Sequence, residues 1–242
     1  MKKIMFNDKY GLTKAVIEGR KTQTRRIVTH PKTFHGKDVC GFYVCKRASD
    51  GVVTDVCMYD EDESFIDEGQ ILPKYEIGEI VAVAQSYKTI DDYYKSAYSY
   101  NHSAHGMTVC EFDGVSDKDV QKWNMIAVNY RGKKIWTNKL FVKPELMLHF
   151  IRITNIRIQR LQDISDDDCL SEGIVVNEPK IKGGVKSYYP CEYLKSCADK
   201  VGWGRVFDTP RKAYAELIDK VSGKGTWESN PYVFVYDFEL IK

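Results

Sequence analysis

The 242-residue chain contains no apolar run approaching the ~18 residues that a bilayer span requires. It has no Cys-x-x-Cys pair, so the patterns of a zinc ribbon and of a thioredoxin-like redox site are both missing. Its seven cysteines (40, 45, 57, 110, 169, 191 and 197) are odd in number and irregularly spaced, and read as reduced thiols that mostly serve packing. Histidine is scarce, with five in all. His30 and His35 lack partners at ligand spacing, and His102-Ser103-Ala104-His105 is too short and isolated for a metal site. Gly183-Gly184, within Lys180 to Lys186, has no P-loop pattern around it and reads as a loop, not a phosphate cradle. Met1 to Phe6 is basic but has no apolar stretch and no small-residue cleavage site, so no signal peptide is expected. There is no internal repeat and no low-complexity tract. These absences point to a cytoplasmic globular protein without membrane, metal or cofactor.

Charge is present in quantity but unevenly placed. The net charge is only +2. Met1 to Arg47 carries twelve Lys/Arg against three Asp/Glu, giving 12 − 3 = +9. Asp50 to Glu68 carries eight acids and no base, giving −8. This asymmetry fits a local anion-binding surface. It fits equally two segments that neutralise each other on folding.

Four segments have strong local signals. In the first, Asn7 or Asp8 can cap a short helix with Leu12, Ala15 and Val16 on one side, and Gly19 sits where a left-handed terminator belongs. Gln23 to Val28 then reads as a strand. In the second, Ile80 to Ala84 reads as a buried strand entered through Gly78-Glu79. In the third, Ile151 and Ile153 share one parity and Ile156 and Ile158 the other, which predicts a β-bulge near Thr154-Asn155. Ser165 then starts a helix, with Asp168 three residues on as in a capping box, and Gly173 ends it. In the fourth, Thr209-Pro210 forms an N-cap and N1 pair, Tyr214, Leu217, Ile218 and Val221 follow helical spacing, and Gly223 stops the helix. The final strand alternates Tyr232, Phe234, Tyr236, Phe238 and Leu240 against Val233, Val235, Asp237, Glu239 and Ile241.

These signals predict a single α+β unit with a core of 1–28, 75–90, 141–174 and 208–242. The stretches 29–74, 91–140 and 175–207 are less periodic and read as insertions or a small appended lobe. Strands and helices do not alternate regularly, so a β-barrel-like α+β fold with a few short helices fits better than a parallel sheet.

Residues 19–26, Gly-Arg-Lys-Thr-Gln-Thr-Arg-Arg, fit the pattern G-x-K-x-x-[E or T]-x-R through Gly19, Lys21, Thr24 and Arg26. This resembles the N-terminal signature of the ASCH domain, a branch of the PUA-like superfamily. Residues 75–83 (YEIGEIVAV), 160–174 (RLQDISDDDCLSEGI) and 223–241 (GKGTWESNPYVFVYDFELI) resemble further family segments, in family order. The last of these, with 135–147 (IWTNKLFVKPELM), is similar to the longer phage- and prophage-associated members. The resemblance implies a small pseudo-closed β-barrel with a cleft beside the N-terminal helix. It implies RNA or a modified nucleoside as partner. For some small members it implies an amidohydrolase that removes the acetyl group of N4-acetylcytidine. Carried over residue by residue, the implied catalytic groups are Lys21, Thr24 and Glu172. One departure stands out: Ala84-Gln85-Ser86-Tyr87 occupies the place where longer members carry an Arg-Glu pair.

The chemistry is coherent with that implication. A threonine hydroxyl needs a base, and a lysine can act as one only if burial or neighbouring cations lower its pKa. Arg20, Arg25 and Arg26 flank Lys21 and are candidates for substrate or nucleic-acid contact. Asn138 and Lys139, with Trp136, are candidates for the same cleft. Thr24 and Arg26 share one face of their strand. Glu172 lies in the predicted last helical turn, where a carboxylate opposes the dipole by about 0.3–1 kcal/mol. A cation such as Lys21 would offset it. Three functions remain in play: RNA or nucleoside binding in a basic cleft, deacylation of an N-acylated nucleoside, and a non-catalytic interaction module. Each residue also has a plainer explanation. Lys21 and Glu172 can be a structural ion pair, β-propensity alone accounts for Thr24, and the aromatic face of the last strand can be core. The decisive expectation is spatial: Glu172 should approach Lys21 across a cleft.

Overall fold

The computed structural model describes residues 1–103, 114–178, 185–191 and 206–241, and the chain is a mixed α+β protein with several sheets. It divides into two compact units, Met1–Phe6 with Ile80–Ile151, and Asn7–Glu79 with Arg152–Ile241. No helix among the described residues is long and apolar enough to cross a membrane. His105 and the Gly183-Gly184 loop, with the side chain of His102, lie outside the described residues.

Among the described residues twelve strands fall, in chain order, at β1 (Lys3–Ile4), β2 (Gln23–Ile27), β3 (Thr33–Phe34), β4 (Lys37–Asp38), β5 (Gly41–Lys46), β6 (Val53–Tyr59), β7 (Phe65–Gln70), β8 (Ile80–Val83), β9 (Phe150–Arg160), β10 (Val175–Asn177), β11 (Ser187–Tyr189) and β12 (Tyr232–Ile241). The described α-helices are α1 (Leu12–Ile17), α2 (Tyr87–Ser103), α3 (Asp117–Ala127), α4 (Asp166–Ser171), α5 (Pro210–Ser222) and α6 (Thr226–Ser229).

In the first unit, β1 pairs in parallel with β8. Val81, Ala82 and Val83 are fully buried, as a strand covered on both faces should be. Helices α2 and α3 pack an aromatic core. The Tyr87 ring stacks on Tyr130 at 4.2 Å and on Trp136 at 6.3 Å, and Trp123 stacks on Tyr94 at 5.4 Å. The buried Asp91 carboxylate accepts from Trp123 Nε1 at 3.0 Å and pairs with Lys95 at 2.8 Å and Arg131 at 2.5 Å. α3 opens with a reciprocal capping box between Ser116 and Asp119. The 17-residue α2 contradicts the expectation of short helices alone. Its buried stripe includes Tyr87, Ile90 and Ala97, and the polar residues between them hide the helical period.

In the second unit, β12 lies between β9 and β2, antiparallel to β2 with Val235 opposite Arg25 and Asp237 opposite Gln23. A separate antiparallel meander, β5-β6-β7, occupies the stretch read as an insertion and buries Val56, Met58 and Ile66 on one side. β1 and β2 are edge strands, so no closed barrel forms among the described residues. Ile151 and Ile153 are fully buried, and the alternation breaks at Thr154 and Asn155, both exposed, where the bulge is expected.

Helix α1 ends as its sequence indicates. Gly19 takes φ +71°, its N–H donates to Val16 O at 3.0 Å, and Arg20 N donates to Ala15 O at 2.9 Å. That double bond is a Schellman motif. The start differs from expectation: Gly11, not an Asn or Asp side chain, holds the N-cap position. The motif delivers the chain from α1 directly into the turn that carries Lys21. Gly19→Ala should lower stability by about 1 kcal/mol, because a Cβ at positive φ is strained. Urea unfolding measures this directly.

Candidate functional site

Lys21, at the turn between α1 and β2, reaches α4 in the second unit. α4 begins where Ser165 Oγ accepts from Asp168 N at 3.1 Å and ends at Glu172, with Gly173 at φ +100°. Only half of the expected capping box forms, because the Asp168 carboxylate turns away toward the strands. The C-terminal carbonyls of α4 are taken up by the turn. Thr22 N donates to Ser171 O at 2.9 Å, and Lys21 Nζ donates to Glu172 O at 2.8 Å. The same ammonium meets Glu172 Oε2 at 2.5 Å. The expected approach therefore occurs between residues 151 positions apart. It occurs in the interior: the two side chains are 2% and 5% exposed.

Around this contact lies a continuous network. Arg25 Nη1 donates to Glu172 Oε1 at 3.1 Å, and Arg25 Nη2 to Asp168 Oδ2 at 2.9 Å. Gln23 lies two residues from Arg25 on the same face of β2. Its Oε1 accepts from Arg25, and its Nε2 donates to Asp168 at 3.0 Å and to Asp237 at 2.6 Å. Arg157 on β9 closes the ring, donating to Asp168 at 3.0 Å and Asp237 at 2.6 Å. The sheet alone would leave these charges in a poor environment. Paired and hydrogen-bonded, they avoid most of the burial penalty.

Burial pushes the Lys21 pKa down, the Glu172 carboxylate works against that, and the Arg26 and Arg25 guanidinium groups lower it further. For Asp168, burial alone would raise the pKa. The Gln23 hydrogen bond and the charges of Arg25 and Arg157 outweigh it and hold the carboxyl below its ordinary value. The Tyr214 hydroxyl, buried on α5, is held well above the ordinary phenol range by burial and then by Glu172. That hydroxyl and Arg25 Nε are both buried without a hydrogen-bond partner. The Arg25 guanidinium lies 5.9 Å from the centre of the Tyr214 ring. The neighbourhood of the Lys21–Glu172 contact thus retains two spare donors.

The other expected site residues have different surroundings. Thr24 is buried opposite Tyr236, on the face of β2 away from Gln23 and Arg25, and its hydroxyl makes no hydrogen bond to Lys21 or Glu172. Arg26 shares Thr24's parity. Arg20 stays at the surface, paired with Glu18 at 2.6 Å. Asn138 and Lys139 belong to the first unit and hold a loop there. Asn138 Oδ1 accepts from Leu140 N at 3.0 Å, and Lys139 Nζ donates to Phe6 O at 2.5 Å. In the same loop Lys3 Nζ donates to the carbonyls of Lys139, Leu140 and Val142. The sequence reading missed Gln23, Asp168 as an ion-pair partner, Arg157, Asp237 and Tyr214. One signal was present: Asp237 interrupts the apolar run Tyr232–Phe238 of β12, and a partly buried carboxylate there needs a partner.

The network makes Glu172 the partner of two buried cations. Glu172→Leu should therefore destabilise by about 3–5 kcal/mol, the usual cost of stranding a buried charge. Lys21→Met should cost less, since Arg25 still pairs the carboxylate, and the double variant should recover part of the loss. A urea-unfolding cycle over the four proteins reads the coupling. Because the Asp168 pKa is depressed by folding, its contribution is present above the unfolded-state value of about 3.9 and is lost as pH falls through the folded value. Asp168→Asn should accordingly flatten the fall in stability on acidification below about pH 4. Compared with known proteins, the chain matches no family model, no curated protein and no solved structure.

Proposed function

We propose that the protein is a PUA-like, ASCH-type amidohydrolase that deacylates a small neutral N-acylated nucleoside, of which N4-acetylcytidine is the type. The observation that carries this reading is the Lys21–Glu172 contact, in which a lysine with lowered pKa shares a buried hydrogen bond with a carboxylate. Such a pair can hold one proton and pass it, which amide cleavage requires twice: once from the nucleophile and once to the leaving amine. The resemblance gives the nucleophilic hydroxyl to Thr24, but Thr24 lies on the other face of β2, so the nucleophile that the Lys21–Glu172 pair would activate is a water. Water completes the reaction, and the products are the free amine and a carboxylate. Spare donors at Arg25 Nε and Tyr214 Oη support stabilisation of a developing oxyanion.

Charge accounting favours a small neutral substrate over a phosphate chain. Arg25 pairs with Asp168 and Glu172, and Arg20 with Glu18, so both of these cations of the basic run already face carboxylates. RNA binding would lose affinity steeply with salt, whereas a neutral nucleoside would not. A second reading is favoured by the burial of Lys21, Arg25 and Glu172: a purely structural clasp joining the α1–β2 turn to α4.

Purified protein should release acetate and cytidine from N4-acetylcytidine. Lys21→Ala and Glu172→Ala should each reduce kcat/KM by at least about a hundredfold, the usual scale for losing general acid–base catalysis. The wild-type rate should rise with pH as Lys21 deprotonates, along a limb below the ordinary lysine value of 10.5 that Lys21→Ala lacks. Thr24→Val distinguishes attack by the hydroxyl from attack by water. Absence of turnover, or turnover untouched by both substitutions, would leave the clasp as the function of the network.

A further inference from the structure

The outward face of the β5-β6-β7 meander carries a second chemistry. Register places Tyr43 opposite Cys57, Cys45 opposite Asp55 and Gly41 opposite Tyr59. Residues paired in an antiparallel ladder, and those two apart on one strand, share a face. Cys45 and Cys57 are therefore diagonal neighbours on the same face. The opposite face buries Val56, Met58 and Ile66. Cys45 and Cys57 are both half-buried, open enough for a small reagent. Cys40 has the other parity and is exposed. The pKa of Cys57 is raised first by burial, then by the neighbouring Cys45 thiol and the nearby Asp55 carboxylate.

We propose that Cys45 and Cys57 form a reversible redox-modification site, closing into a cross-strand disulfide on reaction with a low-molecular-weight disulfide of the glutathione type. The step balances. One thiolate attacks a sulfur of the small disulfide, forming a mixed disulfide and releasing one small thiol. The neighbouring thiolate attacks the protein sulfur of that adduct, closing Cys45–Cys57 and releasing the second small thiol. Two electrons pass to the oxidant, and both cysteine protons leave to solvent or the departing thiolates. Both thiols are open to the reagent, so either can make the first attack and the other resolves the adduct.

Geometry sets the character of the bond. Diagonal positions lie roughly 7–8 Å apart at Cα, against about 4.4–6.8 Å in disulfides. Closure must therefore draw the strands together. The register already shifts between Cys45 and Lys46, so the ribbon has slack at the right place. A bond formed under such strain is readily reduced, as suits a reversible modification and not a permanent staple.

Full-length protein incubated with oxidised glutathione, alkylated, digested and mapped by mass spectrometry tests this. The expected result is a peptide joining Cys45 to Cys57, two fewer alkylatable thiols, and full reversal by dithiothreitol. In Cys57→Ser the first adduct cannot resolve, so glutathione should remain on Cys45. Cys40→Ser should still form the bridge. The proposal is overturned if Cys45 and Cys57 both stay alkylatable while Cys40 is modified. Persistent glutathione on Cys45 in the wild-type protein, or a bridge from either cysteine to a different one, would overturn it equally.

Discussion

A cation taken out of water must find an anion, and much of the second unit is arranged around that requirement. Lys21 and Arg25 are both buried, and Glu172 faces both. Asp168 faces Arg25 and Arg157. With the pairing intact, burial costs little; with one member gone, a charge is stranded at several kcal/mol. The constraint fixes where α4 sits against β2, because both of its ends are gripped by the same short stretch of chain. Asp168 near its start meets Arg25, while the carbonyls at its end meet Thr22 N and Lys21 Nζ. A six-residue helix has no stability of its own, so these contacts hold it in place.

The same device recurs in the first unit with different partners. Lys3 sends its ammonium to three carbonyls of one loop, and burial lowers its pKa. Asp91 reverses the signs, with one buried carboxylate gathering an indole N–H and two cations. In each case a single charged group organises backbone or side chains that share no sequence neighbourhood. The geometry is specific because Lys3 donates to three carbonyls and both Asp91 oxygens accept.

Legibility followed locality. The Gly19 terminator, the Ser165 and Thr209 caps and the alternating β12 depend on residues within one or two turns, and all appear where the sequence places them. The Lys21–Glu172 contact was named through the family resemblance, and a carboxylate at a helix C-terminus, locally unfavourable and calling for a cation, supported it. Strand parity was read correctly, but parity cannot say which face meets the helix. Thr24 and Arg26 were therefore assigned to a site whose neighbours are in fact Gln23 and Arg25. α2 escaped notice because tyrosines and polar residues blur its apolar stripe. The β5-β6-β7 meander escaped because only one of its faces is buried and acidic residues crowd its turns. The expected barrel was an extrapolation from motif order, and strand order is a non-local property that the edge strands β1 and β2 decide.

The distance along the chain between the network's members bears on synthesis. Gln23 and Asp237 are 214 residues apart, and β2 finds its ladder partner only in β12. At a translation rate of about 5–20 residues per second, β2 leaves the ribosome roughly ten to forty seconds before β12 does. For that interval its edge is unpaired, and Lys21 and Arg25 lack their carboxylates until Asp168 and Glu172 emerge, roughly seven to thirty seconds after them. The basic turn is then a cationic segment whose Lys21 and Arg25 are not yet buried. A chaperone or the ribosome's own RNA would meet a different molecule from the folded one.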